Sequence, residues 1–208
     1  MSYLALLGDG ILANRAHTGR EPDSATLLGE LLPGWTVSLL AAEGVTMDAV
    51  ATQVQRLRTD VDLAVLSVGG NDAMEHVDIL EQPTQSSAHT LDALTNIVDD
   101  FGFKYDQAAK AACGRTTRLV VCTIYEPPLV GTNTASRARV LLTLLNDRIL
   151  RVACQWGLDV LDLRAICTSR GDFTVQIQPS AAGAAKIARA IAAVAAGTGG
   201  RRFTVIAG

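Results

Sequence analysis

Glycines and polar residues follow the apolar runs of this chain, and they include the groups that could do chemistry. The segment GDG at positions 8–10 follows the first run, Glu43 and Gly44 follow the second, and Asn71 follows the third. Asn71 carries an amide that can donate hydrogen bonds, while Glu43 and the nearby His76 could act as general bases. In open α/β sheets, functional residues lie at the carboxyl ends of the strands, so these segments predict one site.

The elements that must position this site alternate between two patterns. Apolar runs without sustained polar alternation predict strands buried on both faces of a parallel sheet. They cover residues 3–7, 35–41, 62–68, 118–124 and 158–163. Helical patterns lie between them, near 23–32, 46–58, 86–113, 135–156 and 179–196. Strand and helix alternate throughout, which predicts an α/β fold of three layers, with helices on both faces of a parallel five-stranded sheet.

Length and composition favour one domain over residues 1–208. The chain has 208 residues, of which 49% are hydrophobic and 19% are charged, enough to bury one sizeable core. The tail, residues 198–208, either adds an edge strand or stays loose.

Charge and hydropathy exclude several classes of partner. The net charge is −3 and charges of both signs are interspersed, so we expect no nucleic-acid partner and no binding to a membrane surface. The chain enters its first strand without a basic segment or cleavage site, and no apolar run approaches a bilayer span, which predicts a cytoplasmic protein.

Cysteine and histidine spacing gives no sign of a metal or another cofactor. The four cysteines lie far apart without a C-x-x-C pair, and they are predicted to be buried thiols. No group of His, Asp and Glu has ligand spacing, so we expect neither a metal nor a cofactor.

Four motifs, in order and spacing, resemble those of the SGNH/GDSL hydrolases. They are LLGDG, a glycine after the second strand, SVGGND after the third, and P-S-A-A-G-x-x-K-I-A at the last helix. The resemblance spans nearly the whole chain and implies the flavodoxin-like SGNH hydrolase fold with ester or acyl hydrolase ancestry. It places the nucleophilic serine at position 10. It also places oxyanion-hole donors at Gly44, at Asn71 and at the backbone N–H of position 10.

The chain departs from the family pattern at the three positions that carry the covalent chemistry. Gly10 stands at the serine position, and the D-x-x-H motif that closes the family's triad falls on Val175 and Gln178. A serine attacks an acyl carbon only when a neighbouring base takes its proton, and here neither the hydroxyl nor the base is present. Ester hydrolysis by the usual covalent route is therefore not expected, although the oxyanion-hole donors persist.

Other residues near the predicted site have a functional and a structural interpretation. Asp9, Glu43 and Tyr125 are candidate substrate-binding residues. However, Asp9 could instead anchor loops, Glu43 could face solvent, and Tyr125 could belong to a rigid loop that ends a strand. His76 is either a replacement base or a surface residue at a helix end. Asp172 precedes Gln178 by six residues rather than three, so it does not fit the motif.

Three functions are compatible with these residues. The chain could be a disabled hydrolase or acyltransferase. It could bind a small acyl, ester or carboxylate ligand, or a partner protein, without catalysis. It could also be an enzyme with non-hydrolytic chemistry that stabilises an enolate in the oxyanion hole, with His76 or Glu43 as base.

Overall fold

The computed structural model describes residues 2–129, 132–175 and 177–198. Five parallel strands form its central sheet, in the order β2-β1-β3-β4-β5. They are β1 (Ser2–Gly8), β2 (Trp35–Leu39), β3 (Leu63–Ser67), β4 (Leu119–Cys122) and β5 (Asp159–Leu161). This arrangement confirms the predicted parallel sheet of five strands.

Burial of the strands depends on their place in the sheet. All residues of β3 and β4 are buried, and so are Leu4 to Gly8 of β1, as expected for strands covered on both faces. β2 and β5 are only partly buried, contrary to the prediction that all five are covered on both faces. They form the two edges of the sheet, where the flanking helices cover them less completely.

Seven α-helices connect and cover the strands in the described residues. They are α1 (Ser24–Leu31), α2 (Val50–Gln55), α3 (Gly70–Glu75), α4 (Ser87–Cys113), α5 (Thr132–Trp156), α6 (Leu163–Ile166) and α7 (Ala181–Ala195). The helix predicted to open at Pro179 begins instead after Ser180, whose hydroxyl accepts a hydrogen bond from the N–H of Gly183. Pro179 belongs to a short strand.

Alternate residues of the strands separate the interior into two cores. Ala5 and Leu7 of β1 face a core that includes α2, α4 and α5, while Leu4 and Leu6 face a core that includes α1 and α7. This alternation follows from the two-residue period of a strand and produces the three predicted layers.

A two-residue antiparallel pair was not predicted. β6 (Phe173–Thr174) pairs with β7 (Gln178–Pro179) immediately before α7. The strands are too short to give a periodic signal, but they fix the position of Gln178.

The cysteines are all free, and the prediction that they are buried is correct in part. Cys122 and Cys167 are buried and Cys113 is partly buried, but Cys154 is exposed. Cys154 lies next to the buried Ala153 on α5, and adjacent helix residues point in different directions.

No helix within the described ranges has the length and apolar character needed to cross a membrane. The prediction for the tail falls, apart from Thr198, on residues outside those ranges.

Candidate active site

A cleft of about 120 Å³, partly open to solvent, lies at the carboxyl ends of β1, β3 and β4. Most of its wall is apolar, and the residues with hydrogen-bonding groups are few. The lining comprises Asp9, Gly10, Ile11, Gly44, Gly70, Asn71, Ala73, Met74, Val77, Leu80, Ile124, Tyr125, Pro127, Leu129, Thr134, Ala138, Leu141, Leu142, Ile177 and Gln178. Gly10, Gly44, Asn71 and Gln178, which are separated in sequence, therefore share one cleft.

Gly10 lies in the turn after β1 and faces Gln178 and Glu43. A Cβ atom built on Gly10 would lie 3.5 Å from Gln178 Oε1 and 3.5 Å from Glu43 Cγ, both ordinary contact distances. The φ angle of Gly10 is outside the left-handed region, so a side chain would fit here without backbone strain. Among the described residues, no acceptor pairs with the N–H of Gly10.

Gly44 and Asn71 provide further hydrogen-bond donors. Gly44 has φ +76, a conformation that favours glycine, and its N–H has no acceptor in the described part of the chain. The Asn71 side-chain amide donates to the carbonyl oxygen of Val45 at 2.7 Å, which holds it beside the Gly44 segment. Because an amide NH₂ has two hydrogens, one remains for a ligand.

Gln178 is positioned by Tyr125. The buried Tyr125 hydroxyl donates to the carbonyl oxygen of Ile177 at 2.5 Å, and its ring packs edge-on against Phe173 with centroids 5.0 Å apart. Burial is the main cause that raises the pKa of Tyr125, so the hydroxyl stays protonated and remains a donor. The Gln178 amide has no hydrogen-bond partner among the described residues and faces the cleft.

Glu43 and His17 form a pair beside Gly10. His17 Nε2 lies 2.8 Å from Glu43 Oε1, and the exposed fractions of the side chains are 13% and 50% respectively. An ionised carboxylate only accepts hydrogen bonds, so the ring nitrogen is the donor. No local sequence pattern predicts this pair, because the two residues are 26 positions apart in the chain.

Asp9 and Asp72 are buried carboxyl groups beneath the cleft. Burial raises the pKa of Asp9 to about 7, and the charge of Asp72 raises it further. The hydrogen bond from the Ile11 N–H acts in the opposite direction. Burial also raises the pKa of Asp72, which accepts hydrogen bonds from the N–H of Met47 at 3.2 Å. The contact of Asp9 with the Ile11 N–H fits the interpretation that Asp9 anchors a loop, although Asp9 also lines the cleft.

The model of the GDSL-like lipase/acylhydrolase family matches residues 6–199. The chain belongs to this family. No curated protein matches at the sequence level.

Solved structures of a lipase and of two esterases have a similar fold. The extracellular lipase from Streptomyces rimosus is 16% identical, with a TM-score of 0.69 over 89% of this chain and 96% of that one. The aryl esterase of M. smegmatis is 13% identical, with a TM-score of 0.65 over 95% and 100%. An acetyl xylan esterase variant from Geobacillus stearothermophilus is 15% identical, with a TM-score of 0.64 over 97% of both chains.

In this GDSL-family protein, no described residue near Gln178 restores the motif D-x-x-H. Val175, at the carboxylate position, is 74% exposed and has φ 46. Asp172 is buried and bound to Lys186 Nζ at 2.7 Å and to the N–H of Ser169 at 2.9 Å. Its burial acts to raise its pKa, but these hydrogen bonds outweigh that effect and hold the pKa below its ordinary value. Asp172 thus ties the segment before β6 to α7.

His76 follows α3 directly and is partly buried. It is not among the residues that line the cleft, whereas its neighbours Met74 and Val77 are. Glu43 does not line the cleft either, but its Cγ lies 3.5 Å from a Cβ atom built on Gly10, and no atom of His76 is among the nearest neighbours of that Cβ. Glu43 is therefore the candidate base that lies beside Gly10.

Within the described ranges, no cluster of three or more His, Cys, Asp or Glu side chains could hold a metal ion.

Proposed function

We propose that this GDSL-family protein binds a small acyl, ester or carboxylate ligand in its cleft and does not hydrolyse it through a serine intermediate. One observation carries the proposal. Hydrogen-bond donors that have no acceptor among the described residues lie in a cleft with mostly apolar walls, where Gly10 faces Gln178.

The hydrogen-bond donors of the cleft can bind an acyl oxygen. The N–H groups of Gly10 and Gly44 and the second amide hydrogen of Asn71 have no acceptor among the described residues. Donors fixed by the backbone stabilise negative charge without reorganisation, so they form an oxyanion hole for a carbonyl or carboxylate oxygen. The Gln178 amide adds a fourth polar contact.

The remainder of the cleft suits a hydrocarbon chain. Met74 and Val77 line it from the α3 side, and Ala138, Leu141 and Leu142 line it from α5. Each buried CH₂ group contributes about 0.8 kcal/mol, so binding should strengthen along a series of linear carboxylates until the cleft is filled.

Covalent catalysis lacks both of its groups. Gly10 supplies no oxygen nucleophile, and an amide such as that of Gln178 does not take up a proton at neutral pH. The donors would therefore bind a ligand that the protein cannot hydrolyse through a serine intermediate.

Titration calorimetry with butyrate, hexanoate and octanoate tests the proposal. We expect affinity to rise with chain length, and Asn71→Ala to weaken octanoate binding by about tenfold, the loss of one hydrogen bond to a charged group. Asn96→Ala on the exposed face of α4 is the matched control and should bind as the wild type does. Equal or absent binding across the three carboxylates would refute the proposal.

A further inference from the structure

Apart from the chain neighbours of Gly10, Glu43 is the ionisable side chain nearest to the position where the family places its serine. Its Cγ lies 3.5 Å from a Cβ atom built on Gly10, and its Oε1 is 2.8 Å from His17 Nε2. Oε2 has no partner among the described residues, so it can accept another hydrogen bond. His17 is largely buried while Glu43 is half-exposed, so the imidazole fixes a carboxylate that solvent can reach.

Gln178 provides a second acceptor at the same place. Its Oε1 lies 3.5 Å from the built Cβ of Gly10, on the cleft wall. A water molecule that takes the place of a serine hydroxyl could donate one hydrogen to Glu43 and the other to Gln178. Its lone pair would then point away from both acceptors, towards an acyl carbon held by the N–H groups of Gly10 and Gly44.

We propose that Glu43 is the general base of a direct, single-displacement ester hydrolysis in which water replaces the missing serine, with His17 as its positioning residue. The inference rests on the proposed function, because the acyl oxygen must first bind to the donors of the cleft. It adds a reaction that does not pass through an acyl-enzyme.

The hydrolysis needs no reactant other than the ester and water. The water oxygen forms a bond to the acyl carbon, the Glu43 carboxylate takes the water proton, and the carbonyl electron pair moves to the oxygen in the oxyanion hole. When that pair returns, the bond to the leaving oxygen breaks and protonated Glu43 gives its proton to the leaving alkoxide. The products are a carboxylic acid and an alcohol, and Glu43 is again ionised.

Initial rates on p-nitrophenyl butyrate, with intact-protein mass spectrometry during turnover, test the inference. We expect a wild-type rate at least tenfold above that of buffer, no burst and no acyl adduct. Glu43→Gln should lower kcat by about 10²-fold or more, the usual contribution of a general base. Glu30→Gln on the exposed surface of α1 is the matched control and should leave the rate unchanged.

Two variants of His17 distinguish a positioning role from a merely structural one. A glutamine keeps an N–H close to the place of Nε2, so His17→Gln should retain most of kcat. His17→Ala should lose about tenfold in kcat with KM little changed. If both variants lose activity equally, or if KM alone changes, the positioning role is wrong.

Calorimetry separates failure of this inference from failure of the proposed function. Wild-type octanoate binding without turnover above buffer would overturn the inference and leave the proposed function standing, and so would turnover unaffected by Glu43→Gln. An acyl adduct would overturn the single displacement. If octanoate does not bind at all, the proposed function fails as well. Retained octanoate binding by Glu43→Gln, with the rate lost, supports the inference.

Discussion

At the residue scale, the proposed binding function rests on Gly10 and Gln178, the two positions where the resemblance to the family places a serine and a histidine. The backbone N–H of residue 10 is independent of its side chain, so the loss of the hydroxyl does not remove a donor. Gln178 lies where it would contact a side chain at position 10, and its amide replaces a proton acceptor with a neutral polar group. The cleft thus keeps hydrogen-bonding capacity without a nucleophile.

Restoring the serine alone should not restore the covalent route. The serine Oγ of Gly10→Ser would lie near Gln178, which cannot take its proton, and near Glu43, whose carboxylate is a weaker base than an imidazole. We therefore expect much weaker labelling by a fluorophosphonate than a complete triad would give. Adding Gln178→His and Val175→Asp should give partial labelling, because a histidine needs an orienting carboxylate to hold the right tautomer. Stoichiometric labelling of the single variant would show that another base activates the hydroxyl.

Asp9 should make stability depend on pH. Its pKa is about 7 in the folded protein and near the ordinary value of 3.8 in the unfolded chain, so the native state binds the extra proton between these values. The free energy of unfolding should therefore fall as pH rises from about 4 to about 7, by up to ~1.4 kcal/mol per pH unit. Urea unfolding of wild type and Asp9→Asn at pH 5 and pH 8 measures this. An identical pH dependence in both proteins would contradict it.

At the scale of elements, the sequence predicts the strands and helices that have a regular pattern of apolar residues. The apolar runs predicted the five strands, and the four motifs predicted that Gly10, Gly44 and Asn71 lie at one edge of the sheet. The position of Gln178 followed from the comparison with the D-x-x-H motif. The β6–β7 pair could not be predicted because two residues have no period. The contact between His17 and Glu43 could not be predicted because two loops from different crossovers create it.

The junction between α7 and the segment before β6 depends on a glycine. A Cβ atom on Gly183 would lie 2.2 Å from the carbonyl oxygen of Asp172, so Gly183→Ala must displace α7 from that backbone. We expect a loss of about 2–3 kcal/mol in the free energy of unfolding.

The control for this prediction is Gly29→Ala in α1, where a Cβ atom would contact nothing within 4 Å. Alanine is the better helix former, so this variant should gain about 0.5–1 kcal/mol. Urea unfolding measures both variants. The packing argument fails if Gly183→Ala is as stable as Gly29→Ala.

For the whole molecule, the cleft joins elements that are far apart in the chain. Its lining includes residues after β1, residues of α3 and α5, and Gln178 before α7. A ligand that contacts all of them binds the native state and not the unfolded chain, so it must stabilise the fold as a whole.

Thermal unfolding with octanoate should report this linkage. At a concentration of about 100 Kd, the stabilisation is ~2.7 kcal/mol, which raises Tm by roughly 5–10 °C for a chain of this size. Asn71→Ala should show a smaller increase at the same concentration. An unchanged Tm in the wild type at saturation would be incompatible with a ligand held between these elements.

A crystal structure of the octanoate complex tests the central claim most directly. We predict that one carboxylate oxygen lies within hydrogen-bond distance of the N–H groups of Gly10 and Gly44 and of Asn71 Nδ2, with the chain along Met74 and Leu142. Octanoate bound outside the cleft, or with its carboxylate turned away from these three donors, would contradict the account.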